Sequence, residues 1–192
     1  MFSANKKQIE IEFRSLLKKE KYYALKNFLN KNADDLGEDD KDVYFFLLPN
    51  KIVKVTKNVS KKTAKIVIKL NRLGRGSCDF EEIEIPINLS DFNNTVKLFK
   101  ELPFDQIQNS YQKRHNYFYN GVELALKYTK SWGYHLELEI MVDKKSKSKK
   151  SEEKIRAVAK KLGVRIMEEE ELAKFAKDID EQYKKSSHKG KK

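Results

Sequence analysis

Two short segments near opposite ends of the chain constrain its fold most: Ile9-Glu10-Ile11-Glu12-Phe13-Arg14 and Leu136-Glu137-Leu138-Glu139-Ile140. Residues two apart in a strand share a face. Each segment therefore carries carboxylates on one face and aliphatic or aromatic groups on the other. Glu82 and Glu84 around Ile83 repeat the arrangement in mid-chain. One such strand is ordinarily half of a sheet with a solvated face. Three in one chain admit a second solution: charged faces lining the inside of a barrel, apolar faces covered by helices. Two carboxylates about 4 Å apart repel by roughly 4 kcal/mol at an effective dielectric near 20. A cluster of them needs protons or cations.

Period-two alternation marks eight strands, at 9–14, 42–47, 51–57, 64–70, 80–88, 109–119, 122–128 and 134–142. Turn signals separate several of them: Pro49-Asn50, the glycines at 74 and 76, and Asn120-Gly121. Helical spacing appears at 15–32, through Leu25, Phe28 and Leu29, and at 90–100, where Ser90 is the expected N-cap ahead of Val96 and Phe99. Two more amphipathic helices follow, one on Ile155, Val158, Ala159 and Leu162, ending at Gly163, the other on Leu172, Phe175, Ala176, Ile179 and Tyr183. The expected fold is α+β: an eight-stranded closed antiparallel β-barrel with flanking helices and a C-terminal helical appendage. The expected divisions are a barrel over 1–142, a charged linker over 143–153, helices over 154–183 packed on the barrel, and a disordered basic tail over 184–192.

The net charge is +12, and residues 143–192 hold 17 Lys/Arg against 10 Asp/Glu, so +7 of it lies beyond the barrel segment. That basic end is a candidate for contacting nucleic acid. No apolar run approaches the roughly 18 residues a membrane helix requires. The first residues carry no apolar core of a signal peptide, which makes a cytoplasmic location the expectation. A single cysteine, Cys78, excludes an internal disulfide and a cysteine-based zinc site.

If the first and last strands meet, Glu10, Glu12, Glu137 and Glu139 come together. Hard divalent cations, Mg²⁺ or Mn²⁺, are the natural neutralisers of such a cluster, and Mg²⁺ favours sharing between carboxylates and substrate phosphates. The candidate metal ligands are Glu10, Glu12, Glu82, Glu84, Glu137 and Glu139. Opposing cations are available at Arg14, Lys54, Lys65 and Lys69. Of Lys113 and Arg114, the alternation leaves open which faces inward. Carboxylates for metal and cations for phosphate together describe phosphoryl transfer.

Glu10-Ile-Glu12-Phe-Arg14 resembles the Glu-x-Glu-x-Lys motif that opens proteins of the CYTH, or triphosphate tunnel metalloenzyme, superfamily. Gly133-Tyr-His-Leu-Glu137-Leu-Glu139 is similar to the family's closing Gly-x-x-x-Glu-x-Glu strand, Asp42-Val-Tyr44 to its Asp-x-Tyr, and Ile66-Val-Ile-Lys69 to its strand ending in a phosphate-binding lysine. The resemblance implies metal binding by Glu10, Glu12, Glu137 and Glu139, and phosphate binding by Arg14, Lys69 and Lys113 or Arg114. Lys54 joins that cationic set from its own strand. Glu10, Glu12 and Glu139 are the expected catalytic residues. Arg14 stands in place of the motif's lysine, Phe80 where an arginine is common, and Lys127 near a usual aspartate. The implied activity is metal-dependent hydrolysis of a triphosphate-containing small molecule, with one metal bridging the phosphates and a second activating water. The alternatives are a class IV-type adenylate cyclase and a non-catalytic protein binding polyphosphate or RNA 5′-triphosphate.

Overall fold

Alternation governs the sheet that the chain builds. The structure, a computed structural model, describes residues 9–70 and 82–189. Its strands are β1 (Ile9–Leu16), β2 (Asp34–Glu38), β3 (Lys41–Leu47), β4 (Ile52–Asn58), β5 (Thr63–Lys69), β6 (Glu82–Ile87), β7 (Gln106–Tyr119), β8 (Val122–Thr129) and β9 (Gly133–Val142). Its helices are α1 (Lys19–Asn32), α2 (Phe92–Lys100), α3 (Ser148–Leu162) and α4 (Glu169–Lys189). All strand pairs are antiparallel. The strand order is β1-β9-β8-β7-β3-β4-β5-β6, with β2 also on β7.

The sheet curls so that its apolar face points outward under helices and its polar face points inward. In the half formed by β1, β9, β8 and the end of β7, Ile11, Leu124, Leu126, Leu136, Leu138 and Tyr117 meet Leu25 and Leu29 of α1 and Ile155, Val158 and Leu162 of α3. Each fully buried aliphatic side chain contributes about 1.5–3 kcal/mol. In the other half, Phe46, Val53, Val55 and Ala64 meet Phe92 and Val96 of α2. With the apolar residues committed outward, period two leaves every intervening charge on the inner face. Asn120 and Gly121 both have positive φ, 50° and 70°, as the tight β7–β8 hairpin requires.

The structure corrects several expectations. Nine strands are present among the described residues: β2, Asp-Asp-Leu-Gly-Glu, has no β-branched or aromatic alternation and exists because β7 pairs with it across a bulge at Asp35/Gly37. The barrel is a half-barrel. β1 pairs with β9 as expected, but β1 and β6 end the hydrogen-bonded path. Across that gap, the charges of Glu10 and Glu12 of β1 act on Lys69 of β5. Ser15 and Leu16 extend β1 by pairing with Leu136 and His135, so α1 starts later than expected. Ser90 makes no cap bond; a short 3-10 turn at Leu89–Asp91 precedes α2. α3 begins inside the stretch expected as a linker, because its buried face against β1, β8 and β9 carries the preceding turn along. α4 continues to Lys189, into the stretch expected as disordered. Gly163 does end α3, at φ 62°. The glycine-rich turn at 74–76, Cys78 and Phe80 lie outside the described residues. No described helix is long and apolar enough to cross a membrane.

Candidate active site

Register assembles the site. Antiparallel pairing sets Glu12 of β1 opposite Glu139 of β9, and Glu139 opposite Glu123 of β8. Directly opposed side chains start from Cβ atoms roughly 5 Å apart, so three carboxylates form a row across three strands. Glu10 lies on the same face of β1, two residues from Glu12. Burial raises Glu12 to about 7, against Arg14, with Glu137 and Glu10 adding to the rise. Burial likewise lifts Glu139 to about 7, against Arg114, with help from Glu12 and Glu123. Glu10 is raised too, chiefly by burial. At this pole burial outweighs the cations that act on it, Lys69 on Glu10, Arg14 on Glu12 and Arg114 on Glu139.

Glu137, on the same face of β9, behaves oppositely. Lys127 Nζ lies 3.0 and 3.1 Å from its two oxygens, Arg14 Nε 3.2 Å from Oε1, and Arg114 Nη1 3.5 Å from Oε2. Burial pushes its pKa up, but Lys127, Arg14 and Arg114 outweigh that and hold it well below the usual carboxylate range. Arg14 also lies 2.5 Å from Glu12 Oε1 and over the Trp132 ring, 5.7 Å from its centre.

Facing this acidic half is a lysine wall. Lys69 pairs with Glu82 at 2.6 Å, and Lys54 approaches the same carboxylate at 3.8 Å. Burial and then Lys69 pull Lys54 down to about 7. Burial also opposes the charge on Lys69, but Glu12, Glu82 and Glu10 more than restore it. Further along, Lys65 pairs with Glu84 at 2.5 Å on the solvent-exposed rim. Beside them, Asp39, between β2 and β3, accepts a hydrogen bond from Asn58 at 2.6 Å and pairs with Lys41 and Lys61 at 2.8 and 3.0 Å. Burial raises the Asp39 pKa, yet Lys41, Asn58 and Lys61 hold it well below its ordinary value. α4 crosses the inner face at the start of β7, where Gln106 Nε2 donates to the Asp180 carbonyl and Gln108 Nε2 to the Asp180 carboxylate, at 3.1 and 2.8 Å.

Of the residues expected from sequence, Glu10, Glu12, Arg14, Arg114, Glu137, Glu139, Lys54, Lys69 and Glu82 converge on the inner face. Glu84 shares that face but sits at the exposed rim. Lys113 lies outside: it is exposed on the opposite face of β7, and Arg114 is the inward cation. Three participants were missed. Glu123 and Lys127 sit on the polar face of β8, legible in the alternation Val122-Glu-Leu-Ala-Leu-Lys-Tyr. Asp39 carries no strand signal and was not legible.

A solved structure of a conserved protein from Pyrococcus furiosus superposes with a TM-score of 0.66 at 26% identity, covering 82% of this chain and 94% of that one. A candidate adenylate cyclase from Vibrio parahaemolyticus gives 0.63 at 12% identity over 84% and 94%. A candidate adenylyl cyclase from Hippeastrum, described as showing a dominant triphosphatase activity, gives 0.58 at 15% identity over 83% and 89%. No curated protein matches the chain. The family model of the CYTH domain matches residues 8–176. The chain belongs to the CYTH family. The CYTH match runs through α3 and into the first turns of α4, so α3 and the start of α4 fall within the matched region.

A divalent metal is the group that a CYTH tunnel implies. Among the described residues no three His, Cys, Asp or Glu side chains form a ready-made ligand set. The chemistry nevertheless fits a hard cation. Glu10, Glu12 and Glu139 offer only carboxylate oxygens, and among the described residues the nearest cation to Glu139 is Arg114, with Nη2 3.8 Å away.

Proposed function

We propose that this CYTH protein is a metal-dependent triphosphate hydrolase. The observation that carries the reading is the division of one inner face into a carboxylate pole, Glu10, Glu12 and Glu139, and a lysine wall, Lys54 and Lys69. Phosphoryl transfer is accelerated mainly by positioning and by neutralising charge. Lys69 and Lys54 share Glu82 and exchange it for phosphate oxygens when substrate enters. Arg14 and Arg114, fixed by Glu137, hold their guanidinium groups toward the same space, where a planar fork suits phosphate. Glu10, Glu12 and Glu139 would hold the metal, which when bound polarises a phosphoryl oxygen and acidifies water.

Hydrolysis is favoured over cyclisation by the adjoining cleft. It has a volume of about 250 Å³ and is lined by Asp39, Lys41, Asn58, Lys61 and Lys65, with two threonines and an alanine. Among the described residues no aromatic ring lines it for a base to stack on. The Hippeastrum protein shows that this fold hosts a triphosphatase.

The test is product analysis with tripolyphosphate, ATP and thiamine triphosphate, with and without Mg²⁺ or Mn²⁺. Metal-dependent phosphate release, with ADP from ATP, is the expected result. Cyclic AMP with pyrophosphate would replace the hydrolase by a cyclase. Saturable binding with no turnover of any of the three would make the protein a binder.

A further inference from the structure

Lys127 is an internal lysine in the middle of a carboxylate-lined face. It lies on β8 opposite His135 of β9, is 7% exposed, and bonds both oxygens of Glu137, itself 6% exposed. A carboxylate offers about four lone-pair positions. At Glu137 all are approached: Oε1 by Lys127 and Arg14, Oε2 by Lys127 and Arg114. A divalent ion arriving there would have to displace three buried cations, each of which would lose its counter-charge in a low-dielectric site. Two residues along the same strand the balance is reversed. Among the described residues the nearest cation contact of Glu139 is Arg114 Nη2 at 3.8 Å, and Glu12 has one close cation, Arg14, which it shares with Glu137.

We propose that the Lys127 ammonium is a built-in substitute for a second divalent ion, so that the tunnel takes one metal, at Glu10, Glu12 and Glu139, and none at Glu137. This rests on the metal-dependent reading above. It deepens that reading by fixing the stoichiometry and by removing Glu137 from the ligand set. The ammonium neutralises charge and donates hydrogen bonds but cannot act as a Lewis acid.

Counting sites separates the two claims. Mn²⁺ alone is titrated into metal-free protein, followed by calorimetry and by the electron paramagnetic resonance signal of free Mn²⁺. One saturable Mn²⁺ per chain is expected. Two per wild-type chain overturns the single-ion inference and leaves metal dependence standing. None overturns metal dependence and the inference with it. Lys127→Asp removes the ammonium, adds a carboxylate and is expected to raise the count from one to two. A count that stays at one in a variant that still melts cooperatively overturns the proposal. If Lys127→Asp does not fold, the wild-type count decides.

Discussion

Individual side chains on one face of this sheet have opposite assignments because their neighbours differ. Glu139 and Glu137 are two residues apart, yet one has a single cation, Arg114, at 3.8 Å and the other is bonded by three. Glu139→Gln removes one of the three carboxylates proposed to hold metal, and losing that transition-state charge stabilisation should lower kcat/KM by about 100-fold, equivalent to about 2.7 kcal/mol. Lys113→Ala, on the opposite face of β7, should change it less than about twofold, since exposed charges away from the site contribute little. Steady-state phosphate release from tripolyphosphate checks both.

Asp39 makes a separate prediction about acid stability. Its folded pKa is depressed, so the unfolded chain binds its proton more readily. That stabilisation is fully present above the unfolded value near 3.9 and is lost as pH falls through the folded value. At pH 7, Asp39→Asn should cost on the order of 2 kcal/mol, the scale of hydrogen bonds to a charged group. The difference between wild type and Asp39→Asn should shrink steadily as pH is lowered below about 4. Denaturant melts of the two proteins across pH measure it; a difference that does not vary with pH would remove Asp39 from the account.

Among the elements, β9 is tied to its surroundings by one carboxylate. Glu137 takes Arg14 from β1, Arg114 from β7 and Lys127 from β8, so one side chain ties β9 to three other strands. Breaking a buried ion pair from one side leaves uncompensated charge and costs about 3–5 kcal/mol. Glu137→Gln leaves three such cations. It should lower stability by at least that amount, whereas truncating the exposed partner in the Lys65–Glu84 pair should cost under about 1 kcal/mol. Chemical denaturation of Glu137→Gln and Glu84→Ala makes the comparison.

For the molecule as a whole, β1 and β6 end the hydrogen-bonded path of the sheet among the described residues. A bound tripolyphosphate with Mg²⁺ would join the carboxylates of β1 to Lys69 of β5, closing by charge what the backbone leaves open. At a ligand concentration of 100 times Kd, linkage predicts about 2.7 kcal/mol of added stability. Amide exchange should slow most in β1 and β5, and much less in α2, which packs on the outer face. Uniform slowing across all elements would argue against a ligand bridging the edges.

What could be read from the sequence was whatever depends on period two. Ile9 to Arg14 and Leu136 to Ile140 declared their two faces, and the apolar stripes of α3 and α4 declared theirs, because alternation and helical spacing are local properties of a chain. β2 escaped, since Asp34–Glu38 is a strand only by virtue of β7. The choice between Lys113 and Arg114 also escaped, because strand phase is set by which neighbour each residue faces. Most of all, local pattern treats Glu137 and Glu139 alike. Only the tertiary structure brought Lys127, Arg14 and Arg114 to one and gave the other, of these three, Arg114 alone at 3.8 Å, because electrostatic environment is decided by distances between residues far apart in sequence.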